Sequence, residues 1–313
     1  MTQQAQAQRR CCICGDPLTP PYNVIGQRAY CDRHFAQINK PHPGFWRSAI
    51  VQLVGTAVFA AVVAYLATLI GEPSFGVRIL LGIFLALVPS LLWLAYFYAQ
   101  DRLQPEPKTR VALVFATGFV LTDVLARRVI YDWFHVLDWA PYNTLTSLGA
   151  SILVQALMYQ LVAYIAIRMV YSSSEMDERM DGMVYGAVAG LGIATMLNLR
   201  YIIDSQGVEL APGVVRTVTT ALAMASFSSL LGWFMAEAKF AHRPIWWVPV
   251  GFAITVVLSG VFSWLIGEVS VAGLSIEPWR SLAFGLVIAL GTFLIQAVLM
   301  RRAEESLLRG AAN

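Results

Sequence analysis

Four residues near the N-terminus have the types and spacing of a metal site: Cys11-x2-Cys14, sixteen residues, then Cys31-x2-His34. Each pair lies close enough in sequence to grip one tetrahedral ion, and the segment between the pairs is long enough for a hairpin. Gly15 suits a tight knuckle whose backbone N–H groups face the sulfurs, and the stretch from Asp32 can open a helix. Zinc is the ion such a set favours. Four protein ligands leave no open position for water, so the zinc is expected to be structural, with Cys11, Cys14, Cys31 and His34 as ligands. Cys12 is left over and could exchange with Cys11. The competing reading is that the cysteines are free or disulfide-bonded.

Knuckle, hairpin and helix in that order resemble a treble-clef finger, and Arg28-Ala29-Tyr30-Cys31 through His34-Phe35 resembles the second half of a LIM-type finger. So small a module has no core of its own, and metal binding would drive its folding. Its expected use is contact with a cytosolic protein. Met1 to Arg10 is polar and Gln-rich with no apolar stretch, so no cleavable signal is expected ahead of the cysteines, and a reducing compartment favours metal over disulfides.

The rest of the chain must be placed in a bilayer. Of 313 residues 58% are hydrophobic and only 13% charged, with a mean hydropathy of +0.62. A soluble domain carries about a quarter charged residues. About eight apolar segments follow one another, at 48–70, 79–100, 110–126, 147–170, 183–203, 213–237, 244–266 and 280–300, each bounded by charge, Pro or Gly. The fold class is therefore all-α: a polytopic helical membrane protein with a small N-terminal zinc finger. The organisation read from the sequence is a cytosolic tail over 1–40 with the finger at 11–34, a linker at 41–47, the membrane domain over 48–300 and a second cytosolic tail over 301–313. The third segment is the weakest and is expected to be tilted or partly re-entrant, with an amphipathic interfacial stretch from Val129 to Trp139 behind it.

An even number of spans puts both termini on one side. With the N-terminal tail inside, 16 basic residues fall inside and six outside, so the positive-inside rule predicts a cell-membrane protein with both termini cytoplasmic. Trp133/Phe134 and Trp246/Trp247 fit interfacial anchors. The net charge of +3 is not gathered into a basic stripe with interleaved aromatics, so no nucleic-acid partner is expected. Membrane lipids, other membrane proteins and a cytosolic protein at the finger are.

Three stretches carry a family resemblance. They are Tyr98-Ala99-Gln100-Asp101-Arg102-Leu103-Gln104-Pro105-Glu106-Pro107; the block Met176-Asp177-Glu178-Arg179-Met180-Asp181-Gly182-Met183-Val184-Tyr185-Gly186 with Asn198-Leu199-Arg200-Tyr201; and Leu231-Gly232-Trp233. Together, over about 95–265, they resemble the PrsW family of intramembrane proteases, within the superfamily of CAAX-prenyl endopeptidases. That resemblance implies glutamates and histidines on neighbouring helices that activate water inside the membrane. Asp181, Gly182, Tyr185, Gly186, Asn198 and Tyr201 keep the family motif. The catalytic positions do not: the paired glutamates fall on Tyr159 and Gln160, the glutamate before Asn198 on Leu197, and two histidines on Met224 and Ser259. On the residues alone, Gly182, Gly186 and Gly190 make a smooth helix face for close packing, and Asp181 can cap that helix.

Water activation needs a metal, a carboxylate base or an activated nucleophile. His34 is committed to zinc, while His42, His135 and His242 lie in the tail or in loops. Glu106, Glu175 and Glu178 fall in loops and Glu237 at a span end, which leaves Asp123 as the carboxylate within the bilayer, expected to pair with Arg127 at i,i+4. Gln155, Gln160, Asn198, Ser226, Ser228, Ser229, Ser259 and Ser263 are interhelical hydrogen-bond formers or the lining of a degenerate pocket. The favoured function is a PrsW-like pseudoprotease that binds membrane proteins; the alternatives are an active intramembrane endopeptidase and a transporter.

Overall fold

The computed structural model describes residues 9–25, 28–38, 44–70, 74–100, 106–173, 175–204, 210–241, 243–271 and 278–310. Part of the first family stretch (101–105), both chain ends, the first three residues of the expected linker (41–43), which include His42, and His242 lie outside the described residues. Two short strands, β1 (Asn23–Ile25) and β2 (Arg28–Tyr30), pair antiparallel and lead into helix α1 (Asp32–Ile38). The long helices follow: α2 (Phe45–Ile70), α3 (Phe75–Gln100), α4 (Lys108–Leu121), α7 (Leu157–Tyr171), α8 (Arg179–Asp204), α9 (Leu210–Phe240), α10 (Trp247–Val271) and α11 (Pro278–Gly310). Between α4 and α7 stand the short helices α5 (Val136–Trp139) and α6 (Thr144–Ala150).

Eight helical stretches among the described residues are long and apolar enough to span a bilayer. A bilayer core offers the backbone no hydrogen-bonding solvent, so each span must satisfy its own N–H and C=O groups. The third span, the shortest by sequence, is completed by a change of winding. The helix does not end after α4 but widens into a π-helical stretch, Thr122–Trp133, that brings the span to 26 residues, Lys108–Trp133. The first part of the expected interfacial stretch, Val129 to Trp133, therefore belongs to the span itself. The fourth span is built likewise, with π-helical Ser151–Ala156 between α6 and α7. Helix α2 starts at Phe45, inside the expected linker, and α11 runs to Gly310, into the expected C-terminal tail.

Burial ranks the spans. In α8 and α9, 89% of the apolar window is buried by protein, against 11% in α2, whose Ile50, Val51, Val54, Val58 and Val62 are exposed on the outside of the bundle. Helix α8 is the axis, and glycine makes it so. A Cβ on Gly182 would lie 2.5 Å from the Gly232 carbonyl oxygen, and one on Gly118 of α4 would lie 2.5 Å from the Ala189 carbonyl oxygen. Gly186 and Gly190 face Ser228 and Met224 of α9 more closely still, while Gly192 faces Phe115 of α4. At the N-terminus of α8 the Asp181 carboxylate accepts the backbone N–H groups of Asp177 (2.8 Å) and Glu178 (2.6 Å), fixing the first turn. Trp133, Phe134 and Trp246 are exposed; Trp247 instead packs on Trp233 and Phe234, with Arg243 over its ring at 4.8 Å.

A methyl group at Gly190 has no space on α9, so Gly190→Ala is expected to lower unfolding stability by about 1–3 kcal/mol, the usual range for overpacking. Gly291→Ala, with nothing within 4 Å of the added atom, is the matched control and should be neutral or slightly stabilising. Thermal unfolding of both variants in detergent measures the difference.

Candidate functional site

The N-terminal module brings its four predicted ligands together. The donor atoms of Cys11, Cys14, Cys31 and His34 all lie within 4.8 Å of one another, with His34 Nδ1 3.2 Å from Cys31 Sγ and 3.6 Å from Cys11 Sγ. The knuckle is closed by Gly15 N–H to the Cys11 carbonyl (2.8 Å), with Gly15 at φ +74°, a conformation that suits glycine. Cys31 stands at the start of α1, and Asn23 ties the hairpin to that helix by donating to Asp32 Oδ1 at 2.7 Å. Cys12 is exposed and outside the group.

Burial raises the pKa of the Cys11 thiol, but the backbone N–H groups of Cys14, Cys31 and Ile13 more than offset it and bring it down to about 6. At Cys14 the Asp16 backbone lowers the value, while the Asp16 side chain, burial and the neighbouring Cys11 and Cys31 sulfurs outweigh it and push it up to about 12. Three sulfurs and an imidazole this close make a donor set that fits a tetrahedral divalent cation, whose charge would favour the thiolates.

A cavity of about 660 Å³ lies at the other end of the bundle. Its walls come from the π-helical part of the third span, the fourth span, α8, α9 and α10. Both π-helical stretches contribute, with Arg127 and Tyr131 from one and Ser151 and Gln155 from the other. Of the five positions where the catalytic groups of the resemblance would fall, Tyr159, Leu197 and Met224 line this cavity. Ser259 lies behind Met224, its Oγ 3.9 Å from the sulfur. Gln160 is fully buried, and neither of its amide atoms has a hydrogen-bond partner among the described residues. The ionisable side chains on the cavity wall are Arg127, Arg200, Arg216, Tyr131, Tyr159 and Tyr201; no carboxylate, histidine or cysteine is among the lining residues.

Asp123 is held differently from its sequence expectation. Arg127 does approach it at 3.5 Å, but its principal partner is Arg200 of α8, which grips both carboxylate oxygens at 2.7 and 2.6 Å. A bidentate guanidinium is the stronger arrangement and leaves the carboxylate committed. Glu106, expected in a solvated loop, is buried and accepts a hydrogen bond from the Tyr185 hydroxyl. Glu178 is buried as well, and Glu237 is held by Arg179 (3.3 Å) and Arg243 (3.1 Å). Two residues of the motif stretches make structural contacts: Asn198 donates to the Thr217 carbonyl at 3.0 Å, and the Tyr201 ring carries Arg216 at 3.6 Å.

An eight-span helical bundle with a glycine-faced central helix and a cavity between its spans defines an intramembrane class of protein. The family model for the PrsW family intramembrane metalloprotease matches residues 106–299, and the chain belongs to that family. The match reaches further toward the C-terminus than the three motif stretches. The chain is 31% identical over 181 residues to the protein named Protease PrsW of Geobacillus kaustophilus (strain HTA426), covering 57% of this chain and 76% of that one. It is 27% identical over 187 residues to Protease PrsW of Bacillus subtilis (strain 168), covering 59% and 82%, respectively. No solved structure matches. The metal implied by the family's description finds no donor set around the cavity: among the described residues the one group of three or more candidate ligands is the N-terminal Cys3His group.

Two outcomes follow. Asp123→Asn keeps the shape but removes the charge between Arg127 and Arg200, and should cost about 1–3 kcal/mol of unfolding stability in detergent; an unchanged midpoint would mean the pair contributes nothing. Metal binding by the module should weaken on acidification, because protons compete with the cation for three sulfurs and one imidazole; at Cys11, whose value is depressed, that competition sets in only below about 6. Metal content of the purified protein, read across pH 7 to 5 and after chelation, checks this.

Proposed function

We propose that this chain is a pseudoprotease of the PrsW family, a membrane protein that binds transmembrane partners without cleaving them. The observation that carries the reading is the lining of the cavity: where peptide hydrolysis needs a base or a metal-bound water, the wall offers guanidiniums, phenols, amides and apolar groups. An arginine remains protonated at any working pH and cannot take a proton from water. The committed state of Asp123 supports the same reading, since a carboxylate gripped on both oxygens is a poor base.

The N-terminal group is read as a structural zinc finger that recruits a cytosolic protein. Support comes from its full set of four ligands, which leaves no coordination position for a substrate. Exposed Ile13, at 52% of its surface, offers an apolar contact on the knuckle. A cytoplasmic position of this module and of both termini, in a cell-membrane protein, is part of the same reading, and the positive-inside count supports it.

The reading is tested by incubating the purified protein in lipid nanodiscs with single-span substrates of cleaved relatives and following fragments by mass spectrometry. No cleavage above that of the Tyr159→Ala/Gln160→Ala form is expected. Wild-type cleavage that this double variant abolishes would overturn the proposal.

A further inference from the structure

The N-terminal module has two covered faces. Its own core is small: Cys11, Leu18 and Ala29, with Tyr22 and Cys31 against them. Successive residues of a strand face opposite sides, so Tyr30, next to Ala29 in β2, stands on the other face of the hairpin. Tyr30 takes no part in that core, yet it is only 1% exposed. It pairs across the hairpin with Asn23 of β1, and β1 is the strand that packs against α11.

The tether and the helix ends fix where the module sits. Helix α1 ends at Ile38 and α2 begins at Phe45, so even with the intervening chain fully extended the module lies within about 25 Å of the start of α2. That start is anchored in the bundle: Phe45 is buried in the main core, and Ser48 accepts a hydrogen bond from Gln100 at the end of α3 (3.0 Å). The second and eighth spans, α3 and α11, run in the same direction and touch through Trp93 and Phe293, whose rings are 5.2 Å apart. The last turns of α11 therefore stand at this same end. There the buried stripe of α11, Phe293, Ala297 and Met300, continues to Glu304, while Arg301 and Arg302 are exposed. Of the elements packed on α11, β1 is the one from outside the membrane domain.

We infer that the hairpin face of the module, centred on Tyr30 and Asn23, is an intramolecular docking surface for the last turns of α11 around Glu304, formed when Cys11, Cys14, Cys31 and His34 hold a divalent cation. The inference rests on the metal-binding reading of that group. The hairpin is strung between the two ligand pairs, with Cys31 directly after Tyr30, and is only three residue pairs long. A two-stranded hairpin of its own is at best marginally stable in water, so the ion is what holds this one in shape. The short tether then presents the finished surface to α11 at high effective concentration. The result is a metal-dependent clamp: α11 packs on α9 and α10, and the ion bound near the N-terminus sets whether the last turns of α11 are held or fray.

The test is hydrogen–deuterium exchange on the full chain in detergent under reducing conditions, with zinc content measured on the same samples. Three are compared: protein as purified, protein stripped with a chelator, and stripped protein given zinc back. Stripping is expected to speed exchange of the backbone amides of 300–310 about tenfold or more, with zinc restoring their protection and the amides where α8 meets α9 unchanged throughout. Cys14→Ser should behave as stripped protein whatever the zinc supply. Tyr30→Ala should keep its zinc and lose the protection of 300–310; if it loses zinc as well, Glu304→Ala, which leaves the module untouched, decides by the same two readouts. Zinc bound and removed with no change at 300–310, or a Tyr30→Ala form that keeps both zinc and protection, overturns the clamp and leaves the zinc site standing. Exchange that rises equally across α8, α9 and α11 overturns it too, since the whole bundle has then loosened. Protein that binds no zinc overturns the metal-binding reading and the clamp together.

Discussion

Backbone contact between α8 and its two neighbours is the constraint on which the remaining structure depends. In lipid, apolar surface gains nothing by leaving the tails, so helices associate through close van der Waals fit and interhelical hydrogen bonds. Gly182, Gly186 and Gly190 bring α8 against the α9 backbone, and Gly118 with Gly192 brings it against α4. Each approach fixes a register. Once Gly192 lies on Phe115, Arg200 two turns further on is level with Asp123, and once Gly190 lies on Met224, Asn198 is level with the Thr217 carbonyl. The polar pairs are consequences of the packing and in turn lock it.

The same geometry separates two kinds of family position. Asp181 ties down the first turn, Gly182 and Gly186 allow the approach, Tyr185 holds Glu106, and Asn198 and Tyr201 engage α9. These are contacts that a bundle needs whatever chemistry it performs. Tyr159, Leu197 and Met224 line the cavity, Tyr159 and Met224 as largely buried side chains of the bundle core.

Much of this was legible in the residues. Spans follow from hydropathy and the glycine face from a four-residue repeat, while the finger follows from paired ligands. Those are local or periodic signals. What the sequence could not show is tertiary: Asp123 was assigned its i,i+4 neighbour Arg127, because the sequence offers only local neighbours, whereas Arg200 arrives from another helix. Glu106 has the surroundings of a loop residue, and its burial depends on Tyr185, 79 positions away. The π-helical stretches leave no compositional mark either. Thr122–Trp133 contains charges that read as a span's end, yet its wider winding carries the helix on and turns Arg127 and Tyr131 to the cavity.

The position of the Cys3His group limits what a metal bound there could do. Strand β1 packs against α11, whose C-terminal turns lie at the same end of the bundle as Glu106 and Asp181, while the cavity opens at the end marked by Arg200 and Arg216. Arg179 and Arg200 of α8 stand 21 residues apart in one unbroken helix, which at about 1.5 Å per residue is about 30 Å. A metal held by Cys11, Cys14, Cys31 and His34 is therefore a bilayer's depth from the positions where the family's chemistry would fall, and its charge acts on neither water nor peptide there. Its effect would be on the fold of the module and the surface that module presents.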